Sequence, residues 1–195
     1  TVVRPTIPLD DCFLSKWDVV PTPLQLADGT PVRFNVFRCS ETGEIIGRPF
    51  DPDTYSPISN ARFLTLIREA LTGTSHKIVS VGSVCRRGRI FVSVKLDSLP
   101  AFSAAGRKFE QYLNFLTSHD FSTQLITQTS NVCVVCNNTF RANLQQAQAG
   151  TVTGFRSGVL HRGNVEPKLA ELSKAVDAAV GVQAEFQRAL NDFDG

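Results

Sequence analysis

Residues 77–96, KIVSVGSVCRRGRIFVSVKL, decide the fold reading. Two β-branched runs, Lys77 to Cys85 and Arg89 to Leu96, flank the turn Arg86-Arg87-Gly88. Val, Ile and Phe suit a pleated, half-buried surface, and a short tip ending in Gly closes a hairpin. Successive side chains of a strand point to opposite faces. Ile90, Val92 and Val94 therefore share one face, and Phe91, Ser93 and Lys95 the other.

Working outward, Val32 to Arg48 reads as another hairpin, with Glu41-Thr42-Gly43 as its turn. Asp51-Pro52-Asp53 is a loop. Between the hairpins Ser59 or Asn60 caps a helix whose Phe63, Leu64, Ile67, Ala70 and Leu71 fall at helical spacing, and Gly73 ends it. Downstream, residues 97–108 read as a loop, Phe109 to Ser118 and Ser122 to Gln128 as strands, and Thr129 to Val135 as a strand or a strand entering a helix. Asn137 to Ala149 is a helix closed by Gly150, and Thr151 to Gly163 a loop or short strand. Glu166 to Phe193 is a helix with Pro167 in its first turn. This order predicts an α+β fold, an antiparallel β-sheet of two hairpins plus further strands packed against two or three helices. Three regions are expected: a Pro-rich N-terminal arm over 1–31, an α+β core domain over 32–165, and a C-terminal helix over 166–195.

The chain has 195 residues, 42% of them hydrophobic, enough for a core and too many for intrinsic disorder. The balance of 20 basic against 18 acidic residues leaves a net charge of +2, which neither announces nor excludes a nucleic-acid partner. Among the basic residues 14 are Arg and 6 Lys, and Arg is the better bidentate partner for phosphate. No apolar run reaches the ~18 residues of a membrane span, and Thr1 to Asp18 shows no signal pattern. Five scattered cysteines argue for a reducing compartment.

The chemistry-bearing patterns are few. Cys133-Val-Val-Cys136 lacks the second pair that a structural zinc site wants, so both cysteines are expected to be buried and structural. His119-Asp120 lacks the further ligands of a metal-dependent phosphohydrolase and reads as ordering a tight turn before Phe121. An enzyme built on Cys136, His119, Asp120 and Asn137 would need those four within ~3–4 Å of one another. Asn137, Asn138 and Thr139 read as a helix cap. No phosphate-binding GxxxxGK[ST] or GxGxxG loop is present, so neither a nucleotide cofactor nor a metal is expected. The informative pattern is the basic one. Arg86, Arg87 and Arg89 sit at the hairpin tip, with Lys95, Arg107 and Lys108 downstream. Arg141, Arg156 and Arg162, with His161, form a second set.

Four segments in order carry a resemblance to a phage- and plasmid-like family, domain of unknown function 932. They are Arg38 to Tyr55 with its Thr42-Gly43-Glu44-Ile45-Ile46-Gly47, the run from Asn60 to Gly88-Arg89-Ile90-Phe91-Val92, Leu113 to Asp120 with its Ser118-His119-Asp120, and Val132 to Thr139. Phe121 stands where the family pattern often carries Gly, and Cys133 where it usually shows Arg. The resemblance implies a mobile-element origin and a bacterial cytoplasm. At the level of fold, a helix, a basic hairpin, more strand and a helix is similar to the core of the single-strand annealing recombinases, which assemble into rings or filaments and bind single-stranded DNA without nucleotide.

The expected function is therefore a non-enzymatic, ATP-independent single-stranded DNA-binding or annealing protein that acts as a homo-oligomer in recombination or replication. Arg86, Arg87, Arg89, Lys95, Arg107, Lys108, Arg141, Arg156 and Arg162 would meet phosphates, and Phe91 would stack on bases. The alternative is a small phage interaction protein that binds and modulates a host or defence protein, a reading that the near-zero net charge favours.

Overall fold

Three antiparallel strands come first: β1 (Val19–Gln25), β2 (Pro31–Cys39) and β3 (Ile45–Phe50), adjacent in that order. Helix α1 (Asn60–Leu71) follows, then β4 (Lys77–Val84), β5 (Arg89–Lys95), a ribbon of β6 (Phe102–Ala104) and β7 (Arg107–Phe109), β8 (Tyr112–Ser118) and β9 (Leu125–Ser130). Helix α2 (Asn137–Ala149) and β10 (Arg156–Val159) complete the elements, and a helical stretch begins over 166–171. The computed structural model describes residues 6–96, 102–104, 107–149 and 155–171. The rest of the expected C-terminal helix lies outside the described residues.

The second sheet has the order β10-β9-β8-β5-β4, antiparallel throughout, so the fold is α+β. Its central strands are covered on both sides, as the alternation along β5 requires. Ile90, Val92 and Val94 join Leu113, Phe115 and Leu125 in the main core. That core also takes Phe63, Leu66, Ile67 and Ala70 from α1 and Phe37, Ile46 and Phe50 from the first sheet. Burying each such Phe, Ile or Leu contributes roughly 1.5–3 kcal/mol. On the opposite face Phe91, Leu116 and Ile126 lie in one cross-strand row and pack with Val134, Phe140 and Ala147.

Beside that apolar row runs a polar one, Ser93, Asn114 and Gln128, side by side on β5, β8 and β9. All three are fully buried, and Asn114 and Gln128 bind α2 through Asn143. Asn114 Nδ2 donates to Asn143 Oδ1 (2.8 Å), and Gln128 Nε2 donates to the same oxygen (3.1 Å) and to the Asn143 carbonyl (2.8 Å). Ser93 Oγ donates to Asn114 Oδ1 (2.6 Å). Buried polar groups linked in this way fix one seating of the helix on the sheet.

The helix starts are sequence-encoded. Ser59 Oγ accepts from Arg62 N (3.1 Å), and the Asp18 carboxylate accepts from Asn60 N (2.7 Å) and Ala61 N (3.1 Å). For α2 the cap is Thr139 rather than an Asn. Its hydroxyl accepts from Val135 N (3.0 Å) and Cys136 N (3.1 Å), the return half of a capping box.

Four expectations need correction. The described part of the N-terminal arm belongs to the core: Leu9, Cys12, Leu14, Trp17 and Val19 are buried in it, and β1 is a full sheet member. Pro21 and Pro23 lie within β1, an edge strand of its sheet, where a missing N–H is tolerated. Residues 97–108 are not all loop, because β6 and β7 pair there. Of Thr129 to Val135 only Thr129 and Ser130 are strand, the end of β9, because side chains take up the amides beyond: Val132 N bonds Ser130 Oγ and Val134 N bonds Ser93 Oγ, both at 3.0 Å. Cys133 and Cys136 are consequently not buried structural cysteines: Cys133 is half-buried, Cys136 is exposed, and between them Val134 is the buried residue.

Candidate functional site

The His119-Asp120 pair forms the tight turn expected of it, and two distant segments grip its backbone and the Asp120 carboxylate. His119 N and Asp120 N both donate to the Gly88 carbonyl (2.7 and 3.1 Å). Asp120 Oδ1 accepts from Ser122 N (2.9 Å), and Asp120 Oδ2 lies 3.3 Å from Arg89 Nε. Gly47, at φ 75°, passes so close that a Cβ there would sit 2.9 Å from both Asp120 Cα and the His119 carbonyl oxygen. A side chain at Gly47 is thus opposed twice, by conformation and by backbone.

The His119 ring is buried. Its Nε2 pairs with Asn60 Oδ1 (2.8 Å), whose amide donates to the Trp17 carbonyl (2.9 Å). Burial, with a smaller push from His161, takes the His119 pKa down to about 3 against the pull of Asp120. His161 pairs through Nε2 with Thr117 Oγ1 (3.1 Å) and lies flat on Tyr55, ring centroids 5.2 Å apart. Burial drives its pKa to about 4, against a smaller upward pull from the Ser56 backbone. Burial, and then the charge of Asp120, hold the Tyr55 phenol protonated well above the usual range.

Phe121 leaves this turn at φ 64°, the left-handed region that glycine occupies freely and a β-carbon opposes. Glycine would take that conformation without cost, so the Phe here is strained. Its ring contacts Phe37, Phe50 and Tyr55, and the Arg48 guanidinium lies 5.8 Å from its centroid. Phe121, Tyr55 and Arg48 line a cleft of about 450 Å³ between β3, β10 and α2, together with Arg156, His161 and Arg162. Among the described residues no carboxylate lines it. Arg48, Arg156 and Arg162 are exposed and make no ion pair among the described residues. Arg141 is exposed on α2, on the helix face that carries Leu144 and Gln148 to the cleft edge.

Arg156, His161 and Arg162 of the second basic set are thus brought together, and the first set is dispersed. In the hairpin turn Cys85, Arg86 and Arg87 all have positive φ (55°, 52° and 66°). Arg87 turns inward: it pairs with Glu41 (2.7 Å), donates to Cys39 Sγ (2.7 Å), and lies over the Trp17 ring (5.1 Å). Arg89 is held by Asp120 and by Ser122 Oγ (2.8 Å). Lys95, six residues along β5, pairs with Glu110 (2.6 Å). Arg86 alone of these is exposed without an ion pair among the described residues. Arg107 and Lys108 are in β7, and their side chains lie outside the described residues. Phe91 is 3% exposed, packed against Phe140 and over Gly82, and offers no face to a base.

The four residues of the enzyme reading are not assembled. Cys136 bonds Thr139, Asn137 accepts from Cys85 Sγ (3.5 Å), His119 faces Asn60, and Asp120 faces Ser122 and Arg89. Among the described residues no group of three or more His, Cys, Asp or Glu could hold a metal, and no helix is long and apolar enough to cross a membrane. Arg48 was missed in the sequence because no spacing ties it to residues more than a hundred positions away.

Fold and site define an α+β domain with a doubly covered sheet and an arginine-walled cleft. The chain belongs to the family described as domain of unknown function (DUF932), whose profile matches residues 52–194. The match takes in α1, the second sheet and α2, whereas the whole first sheet, Arg48 included, precedes it. No curated protein and no solved structure matches the chain.

Proposed function

We propose that this protein binds single-stranded DNA without nucleotide, as an oligomer, in the recombination or replication of a phage or plasmid within a bacterial cytoplasm. The observation that carries the reading is the gathering of Arg48, Arg156 and Arg162 around one cleft lined by no described carboxylate, with Arg141 on the flanking helix face. Unpaired guanidiniums release counterions when they meet phosphates, and that release drives sequence-independent binding. A net charge of only +2 is compatible with this, because the acidic residues are spent elsewhere on Arg87, Arg89 and Lys95. The role is binding rather than catalysis.

The test is binding of a fluorescent poly-dT oligonucleotide across a salt series, with light scattering on the same sample. Tight, salt-sensitive binding by a multi-subunit particle is expected. Replacing Arg156 and Arg162 by Ala should flatten the log K against log salt slope by about 1.4, at ~0.7 per single-strand phosphate contact. No binding at ~50 mM salt would overturn the reading.

An interaction protein that redirects a host factor is the second reading. It is favoured by the exposed row Val20, Arg38 and Ile45 across the first sheet, where two large apolar side chains flank an arginine. Capture of one stoichiometric protein by a chain with no DNA affinity would select it.

A further inference from the structure

Resting on the single-strand reading, we propose that the cleft is a subsite for one terminal nucleotide, its phosphomonoester held by Arg156 and Arg162 and its base laid against Phe121 and Arg48. The volume of about 450 Å³ falls in the ~300–1,000 Å³ range of small-molecule sites, room for one nucleotide and not for a duplex. The charges fit a monoester better than an internal diester. A terminal phosphate carries about −1.5 to −2 near neutral pH, matching two guanidiniums, whereas a diester would leave one of them uncompensated.

The base side rests on a separate observation. Phe121 keeps a strained left-handed backbone to present its ring at the cleft, half-buried against Phe37 and Tyr55. Strain retained at such a position marks a functional constraint. The Arg48 guanidinium, 5.8 Å from that ring's centroid, adds a second planar surface beside it for a base. Gln124 and Gln148 supply neutral donors and acceptors at the cleft for base edges. A strand terminus and a free mononucleotide present the same chemistry, so the experiment separates them.

The experiment compares the wild-type protein on oligo-dT carrying a 5′-phosphate, a 3′-phosphate or hydroxyls at both ends. dTMP, thymidine and inorganic phosphate serve as competitors. One of the phosphorylated strands should bind about tenfold tighter than the hydroxyl strand, the step of one charge-assisted contact. dTMP should compete, and thymidine and inorganic phosphate should not. The R156A/R162A double variant should lose the preference, and Phe121→Gly should reduce dTMP to the level of inorganic phosphate. Arg156→Lys and Arg162→Lys, which keep the charge without the planar fork, should lose it in part. Equal binding of all three strands, with dTMP inert, overturns the subsite and leaves the strand-binding reading standing. dTMP binding with no affinity for any oligonucleotide supports the subsite and overturns strand binding.

Discussion

Gly47→Ala tests the claim that the His119-Asp120 turn is clamped by backbone. Two costs combine. Alanine at φ 75° carries the left-handed penalty of roughly 1–2 kcal/mol. Its Cβ would also stand 2.9 Å from Asp120 Cα and from the His119 carbonyl oxygen, neither of which is the free end of a side chain. Forcing such a contact costs a further ~1–3 kcal/mol as the turn shifts. The matched control is Gly43→Ala, at φ 72° with nothing within 4 Å of its Cβ, which bears the conformational penalty alone. The assay is urea unfolding followed by Trp17, the only tryptophan, whose ring lies 6.0 Å from His119. With a slope of ~2 kcal/mol per molar urea, Gly43→Ala should lower the midpoint by about 0.5–1 M and Gly47→Ala by about 1–2.5 M. Equal losses in the two variants, to within about 0.5 kcal/mol, would refute the clamp.

Three further outcomes follow from the same geometry. His119 and His161, depressed to about 3 and 4, stay neutral in the folded chain while the unfolded chain protonates them below about 6.5. Stability should therefore be full above pH 6.5 and fall toward pH 4 by about 1.4 kcal/mol per pH unit for each histidine; a flat series of urea midpoints from pH 7.5 to 5 would contradict this. Asn143→Leu leaves the buried amide of Asn114 without its Asn143 acceptor and takes one acceptor from Gln128, and should cost about 2–3 kcal/mol by the same unfolding assay. Arg87→Ala removes the Glu41 pair and the Trp17 contact; it should cost about 1–2 kcal/mol of stability and leave oligonucleotide affinity unchanged, whereas Arg156→Ala should do the reverse.

Local pattern carried much of the architecture into view. Helix α2 runs Asn137–Ala149, the bounds its sequence signals set, and Ser59 caps α1 as a serine before an apolar helical stripe should. The alternation along β5 sorted Ile90, Val92 and Val94 from Phe91 correctly, because a strand's period of two is a backbone property. What escaped was the environment of each face. Phe91 and Ser93 look like an exposed face until α2 is known to cover them, and that covering depends on Asn143, fifty residues on. Val132 to Cys136 imitates a strand because β-branched residues fill it, yet hydroxyls of Ser93, Ser130 and Thr139 take the amides that a neighbouring strand would have used.

The same distinction between local pattern and distant partner decides what the arginines do. Arg86-Arg87-Gly88-Arg89 is the densest basic run in the chain and so draws a phosphate reading. In the fold, Arg87 and Arg89 hold the hairpin to Glu41 and Asp120, and releasing them to bind a ligand would expose those carboxylates to the same phosphate. A guanidinium already paired therefore adds little to anion binding, because the incoming phosphate must replace a partner of equal charge. Arg48, Arg156 and Arg162 are scattered over the sequence, but no described carboxylate lines their cleft, so the full counterion-release term is open to them. Basic clustering along the chain measures the supply of positive charge, and the placement of Asp and Glu determines where that charge is left free.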